Sequence, residues 1–476
     1  MTIELRLQQL GPLDLLDALQ PRGAVIEVGD GVARVVGLHG VGYEELVEFD
    51  SGVRGMAYDL AADYTGVVLL EGGESVCAGE GVRATGRLPI VVAGDSLFGR
   101  VISPLGDPRD DRPRAEGGEP MQVFRSAPTL MERAAVVVPL ETGVTTIDAA
   151  IPIGRGQRQL IVGDRNVGKT ALALDIVAAQ RDTEVVCVYV VIGQGLTRAL
   201  AIRDSLDDVG ALDRTIIVVA QAADTPGMQY LAPYAGTAIA EHFRDQGRDA
   251  LVVYDDLTKH ADAYRELALL MGRPPGREAF PGDIFYVHAE MLERAAPLSE
   301  EAGGGTLTAI PLVETTESDI SAYIPTNLIS ITDGQIYLDT IRFERNQRPA
   351  IDVRKSVSRI GGAAQPPDMR KAARNLRIDM ARFESLEALT RVGLDVDPQT
   401  RQTIDRGRIL REILRQPRFT RRTRAAQIAA MKAVSEGWLD GLAPARAAEL
   451  AWLSSATEGS LEDFHATLVE LRERES

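Results

Sequence analysis

The run Gly163-Asp-Arg-Asn-Val-Gly168-Lys169-Thr170 sets two glycines, a lysine and a hydroxyl at the spacing G-x-x-x-x-G-K-[ST]. A loop of this kind curls backbone N–H groups around phosphate oxygens, sends the lysine ammonium to the outer phosphates and offers the hydroxyl to magnesium. The apolar run Gln159-Leu-Ile-Val162 precedes it, and the helix-forming segment Thr170-Ala-Leu-Ala-Leu-Asp-Ile-Val-Ala-Ala-Gln180 follows. A strand feeding a helix N-terminus is the context the motif needs, because the helix dipole favours a bound anion. Gly163, Asp164, Arg165, Asn166, Val167, Gly168, Lys169 and Thr170 are therefore the candidate nucleotide-binding loop.

Further along, Asp249-Ala-Leu-Val-Val-Tyr254-Asp255-Asp256 reads as a buried strand ending in carboxylates. Folds with such a loop place there the aspartate that holds magnesium through water. Asp255 is that candidate, acting beside Thr170. Hydrolysis also needs a base, or a residue that positions water, next to the outer phosphate. The strand Val188-Tyr-Val-Val-Ile-Gly193 ends instead at Gln194, an amide that cannot accept a proton as a carboxylate does. The five histidines, His39, His242, His260, His288 and His465, lack zinc-like spacing.

These residues need elements to hold them. The 476 residues exceed what one core supports and suggest about three domains at roughly 150 residues each. After an N-terminal extension (1–22), residues 23–93 carry short Val/Ile/Leu runs broken by Gly and Asp, the pattern of a small antiparallel β-barrel. From 94 to 367, apolar runs at 159–162, 184–192, 214–220, 250–254 and 307–313 alternate with helical stretches, as in an α/β domain with a parallel sheet. Residues 368–476 read as amphipathic helices packed in a bundle.

The formal charge of −17 argues against a nucleic-acid partner, since affinity for a phosphate backbone comes from excess Lys and Arg. No apolar run approaches the ~20 residues that span a bilayer, and the N-terminus lacks a secretory pattern, so a cytoplasmic protein is expected. Two cysteines far apart, Cys77 and Cys187, give no disulfide framework.

Several segments together resemble the alpha subunit of F-type ATP synthases. They are Ala150-Ile-Pro-Ile-Gly-Arg-Gly-Gln-Arg158, the loop at 163–170, Tyr254-Asp-Asp-Leu-Thr-Lys259 and Arg273-Pro-Pro-Gly-Arg-Glu-Ala-Phe-Pro-Gly-Asp283, followed by Leu292-Glu-Arg-Ala-Ala296, Ser321-Ala-Tyr-Ile-Pro-Thr-Asn327, Ile331-Thr-Asp-Gly-Gln335 and Ser356-Val-Ser-Arg359. The resemblance covers almost the whole chain and is weakest over the first 22 residues and about the last 50. It implies a barrel, a RecA-like P-loop domain and a helical C-terminal domain. It also implies an alternating ring of three alpha and three beta subunits around a central gamma stalk, with a peripheral stalk. Other subunits would form the ion-translocating membrane sector, with this chain peripheral on the cytoplasmic face of a bacterial membrane.

Residue by residue, the resemblance implies ATP or ADP and Mg²⁺ held by the loop, Thr170 and Asp255. Gln194 stands where the catalytic beta subunit has its glutamate, so little hydrolysis is expected at this chain's own site. Arg348, Pro349 and Gln416 match the adenine pocket, while the family's second glutamine is Arg418 here. Arg359 matches the arginine finger lent to the neighbouring beta site, and Ser330 would line the same interface. Asn166-Val167 replaces the usual Gln-Thr, and Gly11-Pro-Leu-Asp-Leu-Leu16 replaces the helix that docks the peripheral-stalk cap. Such departures suit a divergent second ATP synthase of the kind some bacteria keep. A homohexameric motor would need a glutamate near Gln194, and a nucleotide-sensing scaffold would make no use of Arg359.

Overall fold

The computed structural model describes residues 22–391, 397–455 and 461–473. The expected extension at 1–22, apart from its last residue, and the stretch Gly11–Leu16 within it lie outside the described residues. Six short strands, β1 (Arg22–Gly29), β2 (Val32–Val36), β3 (Leu46–Phe49), β4 (Arg54–Leu60), β5 (Thr65–Leu69) and β6 (Gly81–Ala84), close into a barrel in the order β1-β2-β5-β4-β3-β6. Alternation drives the closure: Val47 and Phe49 of β3 and Val82 and Ala84 of β6 are buried, while their neighbours stay at least partly accessible. Closing the sheet leaves no open strand edge. The antiparallel barrel expected from the Val/Ile/Leu runs is thus present.

Strands β7 (Ile90–Ala93) and β9 (Glu119–Gln122) pair separately as an antiparallel ribbon. The large sheet contains β8 (Val101–Ile102), β10 (Leu160–Asp164), β11 (Val186–Gln194), β12 (Thr215–Gln221), β13 (Asp249–Asp255), β14 (Thr306–Thr315), β15 (Gly334–Leu338) and β16 (Val357–Ser358). Its order is β16-β15-β10-β14-β13-β11-β12-β8, parallel throughout except for the antiparallel edge pair β15–β16. The five apolar runs read from sequence correspond to β10 through β14. Strands β8, β15 and β16 are not among those runs: β8 and β16 have two residues each, too few to show any period, and β15 is a five-residue strand opened by Gly334 and Gln335.

Strand β11 explains why these runs are continuously apolar. Val186, Val188, Val190 and Ile192 enter one core with the helices Pro226–Asp245 and Leu257–Leu270, whereas Cys187, Tyr189 and Val191 enter the other with Lys169–Ala178 and Leu196–Asp207. A parallel sheet covered on both faces buries both sets of alternating side chains. Tyr189 is thereby placed under the phosphate-loop helix.

The helices Leu376–Arg391, Pro398–Leu414, Arg424–Ser435, Pro444–Ser454 and Leu461–Glu473 form the C-terminal bundle around Phe383, Ile413, Met431 and Leu450. Half-buried Asp148 joins this bundle to the central domain, accepting from Thr142 N–H at 2.9 Å, from its hydroxyl at 2.7 Å and from Gln427 Nε2 at 2.9 Å. Among the described residues, no helix is long and apolar enough to cross a membrane.

Candidate nucleotide site

The parallel strands deliver their carboxyl ends to one crevice, the place where open α/β sheets bind ligands. In register, Gly163 of β10 lies beside Glu314 of β14, and Val191 of β11 lies beside Asp255 of β13. The resulting cleft holds about 690 Å³, within the ~300–1,000 Å³ range of small-molecule sites. Arg165, Asn166, Gly168, Lys169, Thr170, Gln194 and Asp255 all line it.

Both loop glycines have a local reason. A Cβ on Gly163 would meet the Leu338 carbonyl at 2.7 Å, and Gly168 adopts φ +100°, which side chains other than hydrogen resist. Lys169 opens the helix Lys169–Ala178, and its Nζ donates to the carbonyls of Gly163 at 2.9 Å and Asp164 at 2.7 Å. Burial lowers the Lys169 pKa, while Glu314, Asp256, Asp255 and Asp164 oppose that shift.

Asp255 is a meeting point. Its Oδ2 accepts from the Thr170 hydroxyl at 2.9 Å and the Tyr189 phenol at 2.8 Å, and Gln194 Nε2 donates to its Oδ1 at 3.1 Å and its backbone carbonyl at 3.0 Å. Tyr189 keeps its proton, because burial and then the adjacent Asp255 push its pKa well up. Sequence reading missed this phenol. The available signal was a tyrosine inside an unbroken valine run, since a buried hydroxyl requires a partner. Neighbouring Asp256 caps the helix Leu257–Leu270 by accepting from Lys259 N–H at 2.9 Å. Burial, and then Asp255, raise its pKa to about 6.

Oxygen ligands from Thr170 and Asp255 standing together suit a hard, octahedral cation that also takes phosphate oxygens. Among the described residues no cluster of three or more His, Cys, Asp or Glu could hold a metal by itself.

Other candidates sit outside the cleft's lining. The Asp164 carboxylate accepts from Thr315 Oγ1 at 2.6 Å, Ser318 Oγ at 2.9 Å and Thr340 Oγ1 at 2.9 Å. Burial works against its charge, yet these bonds outweigh it and hold the carboxyl below its ordinary range. Its side chain thus anchors the loop from behind, as does buried Val167. The Arg348 guanidinium lies 4.5 Å from the Phe343 ring centre, and the Arg348 carbonyl accepts from Gln416 N–H at 2.7 Å. Pro349 follows through a cis peptide. The Gln416 amide donates to the Gly143 carbonyl at 2.7 Å and accepts from Thr145 N–H at 3.1 Å. Arg418, two residues on, lines the cleft instead.

Arg359 lies just past β16, exposed and apart from its own chain's cleft. Its guanidinium donates to the carbonyls of Thr332 and Ile329, each at 3.2 Å. Ser330, the residue after Ile329, is also exposed, and its hydroxyl donates to the Thr326 carbonyl at 2.9 Å. The structure therefore brings Arg359 and Ser330 to one edge.

Comparison with known proteins matches this architecture domain by domain. The beta-barrel domain of the ATP synthase alpha/beta family matches residues 19–86, its nucleotide-binding domain 143–358 and the C-terminal domain of the alpha/beta chain 365–469. A protein called ATP synthase subunit alpha 2 from Syntrophus aciditrophicus is 48% identical over 452 residues, covering 95% of this chain and 86% of the relative. Another of that description, from Syntrophotalea carbinolica, is 51% identical, with 89% and 81% covered. An ATP synthase subunit alpha from Dehalococcoides mccartyi is 48% identical, with 88% and 84% covered. The barrel, the P-loop cleft, the helical bundle and these relatives agree: the chain belongs to the ATP synthase alpha/beta family, on its nucleotide-binding alpha-subunit branch.

Proposed function

We propose that this chain is the non-catalytic, regulatory alpha subunit of a rotary F-type ATP synthase, binding Mg-ATP in its own cleft and acting on chemistry in a neighbouring beta site. The observation that carries the reading is Gln194, whose amide donates to Asp255 at the end of β11. A carboxamide in that position orients its neighbour and takes up no proton from an attacking water.

Within the chain's own site, the loop N–H groups and Lys169 would hold the phosphates, while Thr170 would ligate magnesium directly and Asp255 through water. Bound magnesium supplies charge neutralisation for the phosphate oxygens. Arg348, Pro349 and Gln416 would form the wall toward the base. Arg359, held outward at the sheet edge, would reach the beta site across an interface that Ser330 also lines. A guanidinium stabilises charge on a transferring phosphoryl group and is worth about 10³- to 10⁵-fold in rate.

The assembly that this implies is an alternating alpha3-beta3 ring on a central gamma stalk, with a peripheral stalk and a membrane ion-translocating sector contributed by other subunits. The chain would sit peripherally on the cytoplasmic face of a bacterial membrane, and the complex would couple ATP synthesis or hydrolysis to ion transport. The proposed division of the chain is an extension at 1–22, the barrel at 23–93, the nucleotide domain at 94–367 and the bundle at 368–476.

The test is steady-state ATP turnover by the purified chain alone and mixed with its beta partner, alongside nucleotide binding by the chain alone. Binding with negligible turnover alone and robust turnover in the mixture is expected. Vigorous turnover alone would overturn the reading and point to Glu314, a further carboxylate lining the cleft.

A further inference from the structure

The nucleotide cleft extends from the phosphate loop along one face of the helix Lys169–Ala178, where Ala171 and Leu174 line it. Arg418 joins the lining on that side, because the N–H of the next residue, Phe419, donates to Asp175 of the same helix at 2.7 Å. Asp175 lies five residues beyond Thr170, about 7.5 Å along a helix that rises 1.5 Å per residue. That separation sets Arg418 past the phosphates, at the apolar stretch where a nucleobase would lie.

Two polar side chains face that stretch, Arg418 and Ser205, whose hydroxyl donates to the Ala201 carbonyl. Both ends of the Gln416 amide are occupied by Gly143, Thr145 and Thr420, and the residue is buried. Among the described residues, by contrast, Arg418 makes no hydrogen bond or ion pair, and its guanidinium stacks 4.4 Å from the Phe419 ring centre. A guanidinium offers a planar fork of donors and accepts nothing. The adenine edge with N7 pairs an acceptor with the N6 amino donor, which faces that fork unfavourably. A 6-oxopurine offers N7 and O6, two acceptors that a guanidinium meets bidentately.

We propose that Arg418 makes this site accept 6-oxopurine nucleotides, those of guanine or hypoxanthine, at least as tightly as adenine nucleotides. The inference rests on the reading that a nucleotide binds in this cleft.

Equilibrium dialysis of the full chain against Mg-ATP, Mg-GTP and Mg-ITP tests it, using the wild type, Arg418→Gln and Arg418→Lys. The wild type is expected to bind GTP and ITP no more weakly than ATP, with ITP following GTP because both present O6. Arg418→Gln, which restores an acceptor, should move the ATP-to-GTP affinity ratio about tenfold or more toward ATP. Arg418→Lys keeps the charge but loses the fork, and should lose most of the 6-oxopurine preference. Retained ATP binding by each variant shows that it is folded. A wild-type preference for ATP, or a ratio that Arg418→Gln leaves within about twofold, overturns the inference. Failure of the wild type to bind any of the three would overturn the nucleotide-site reading as well.

Discussion

Around Asp255 the Thr170 hydroxyl, the Tyr189 phenol and the Gln194 amide converge on one buried aspartate at 2.8–3.1 Å. The Arg359 edge is less enclosed. An exposed guanidinium there reaches two backbone carbonyls at 3.2 Å and leaves further donors facing outward. The first arrangement holds the Thr170 hydroxyl and the Asp255 carboxylate in one fixed geometry, which suits tight binding. The second orients a cation without satisfying it, which suits a group completed by another molecule. On the proposed function, one domain would separate holding a nucleotide from assisting the chemistry on one.

Four substitutions test that contrast. The largest effect is expected from Arg359→Ala, which should lower ATP turnover of the complex with its beta partner by about 10³- to 10⁵-fold. Nucleotide binding by the chain alone should remain unchanged. Next comes Lys169→Gln, which removes a charge-assisted contact worth about 2–3 kcal/mol. Nucleotide binding by the chain should weaken roughly 30- to 150-fold in equilibrium dialysis. Unaltered affinity would show that the loop does not hold phosphates.

Gln194→Glu exchanges two donors onto Asp255 for a second carboxylate within hydrogen-bonding distance. Like-charge repulsion and the lost bonds should destabilise the chain by about 1–3 kcal/mol, read by urea unfolding at neutral pH. An unchanged midpoint would mean that the amide's contacts with Asp255 carry no weight. The smallest effect belongs to Ser330→Ala, whose exposed hydroxyl meets one carbonyl of its own helix. Stability should stay within about 0.5 kcal/mol, and turnover of the complex should fall less than about threefold. A much larger fall would place Ser330 in direct contact with the reacting site.

Much of this was legible in the sequence. The loop at 163–170 carried its own spacing, and Asp255 ended a conspicuous apolar run, because strand ends and turns are written locally. The three-part architecture followed from the change in period along the chain. Three features stayed hidden because they depend on distant segments meeting. Tyr189 reaches Asp255 only because alternation in β11 turns it toward the phosphate-loop helix. Gln416 is occupied by residues near position 143, some 270 positions earlier. Arg418 enters the cleft because Asp175 captures the backbone beside it. Propensity and spacing report none of these, since the first is settled by packing within the central sheet and the other two by packing between the central domain and the C-terminal segment.

The most direct test of the separation between holding and assisting compares two variants in one reconstituted complex with the beta partner. ATP turnover with the Lys169→Gln chain should stay within about tenfold of the wild type, while turnover with the Arg359→Ala chain should fall by at least about 10³-fold. Equal losses in both, or a loss confined to Lys169→Gln, would contradict the account and place the chemistry in this chain's own cleft.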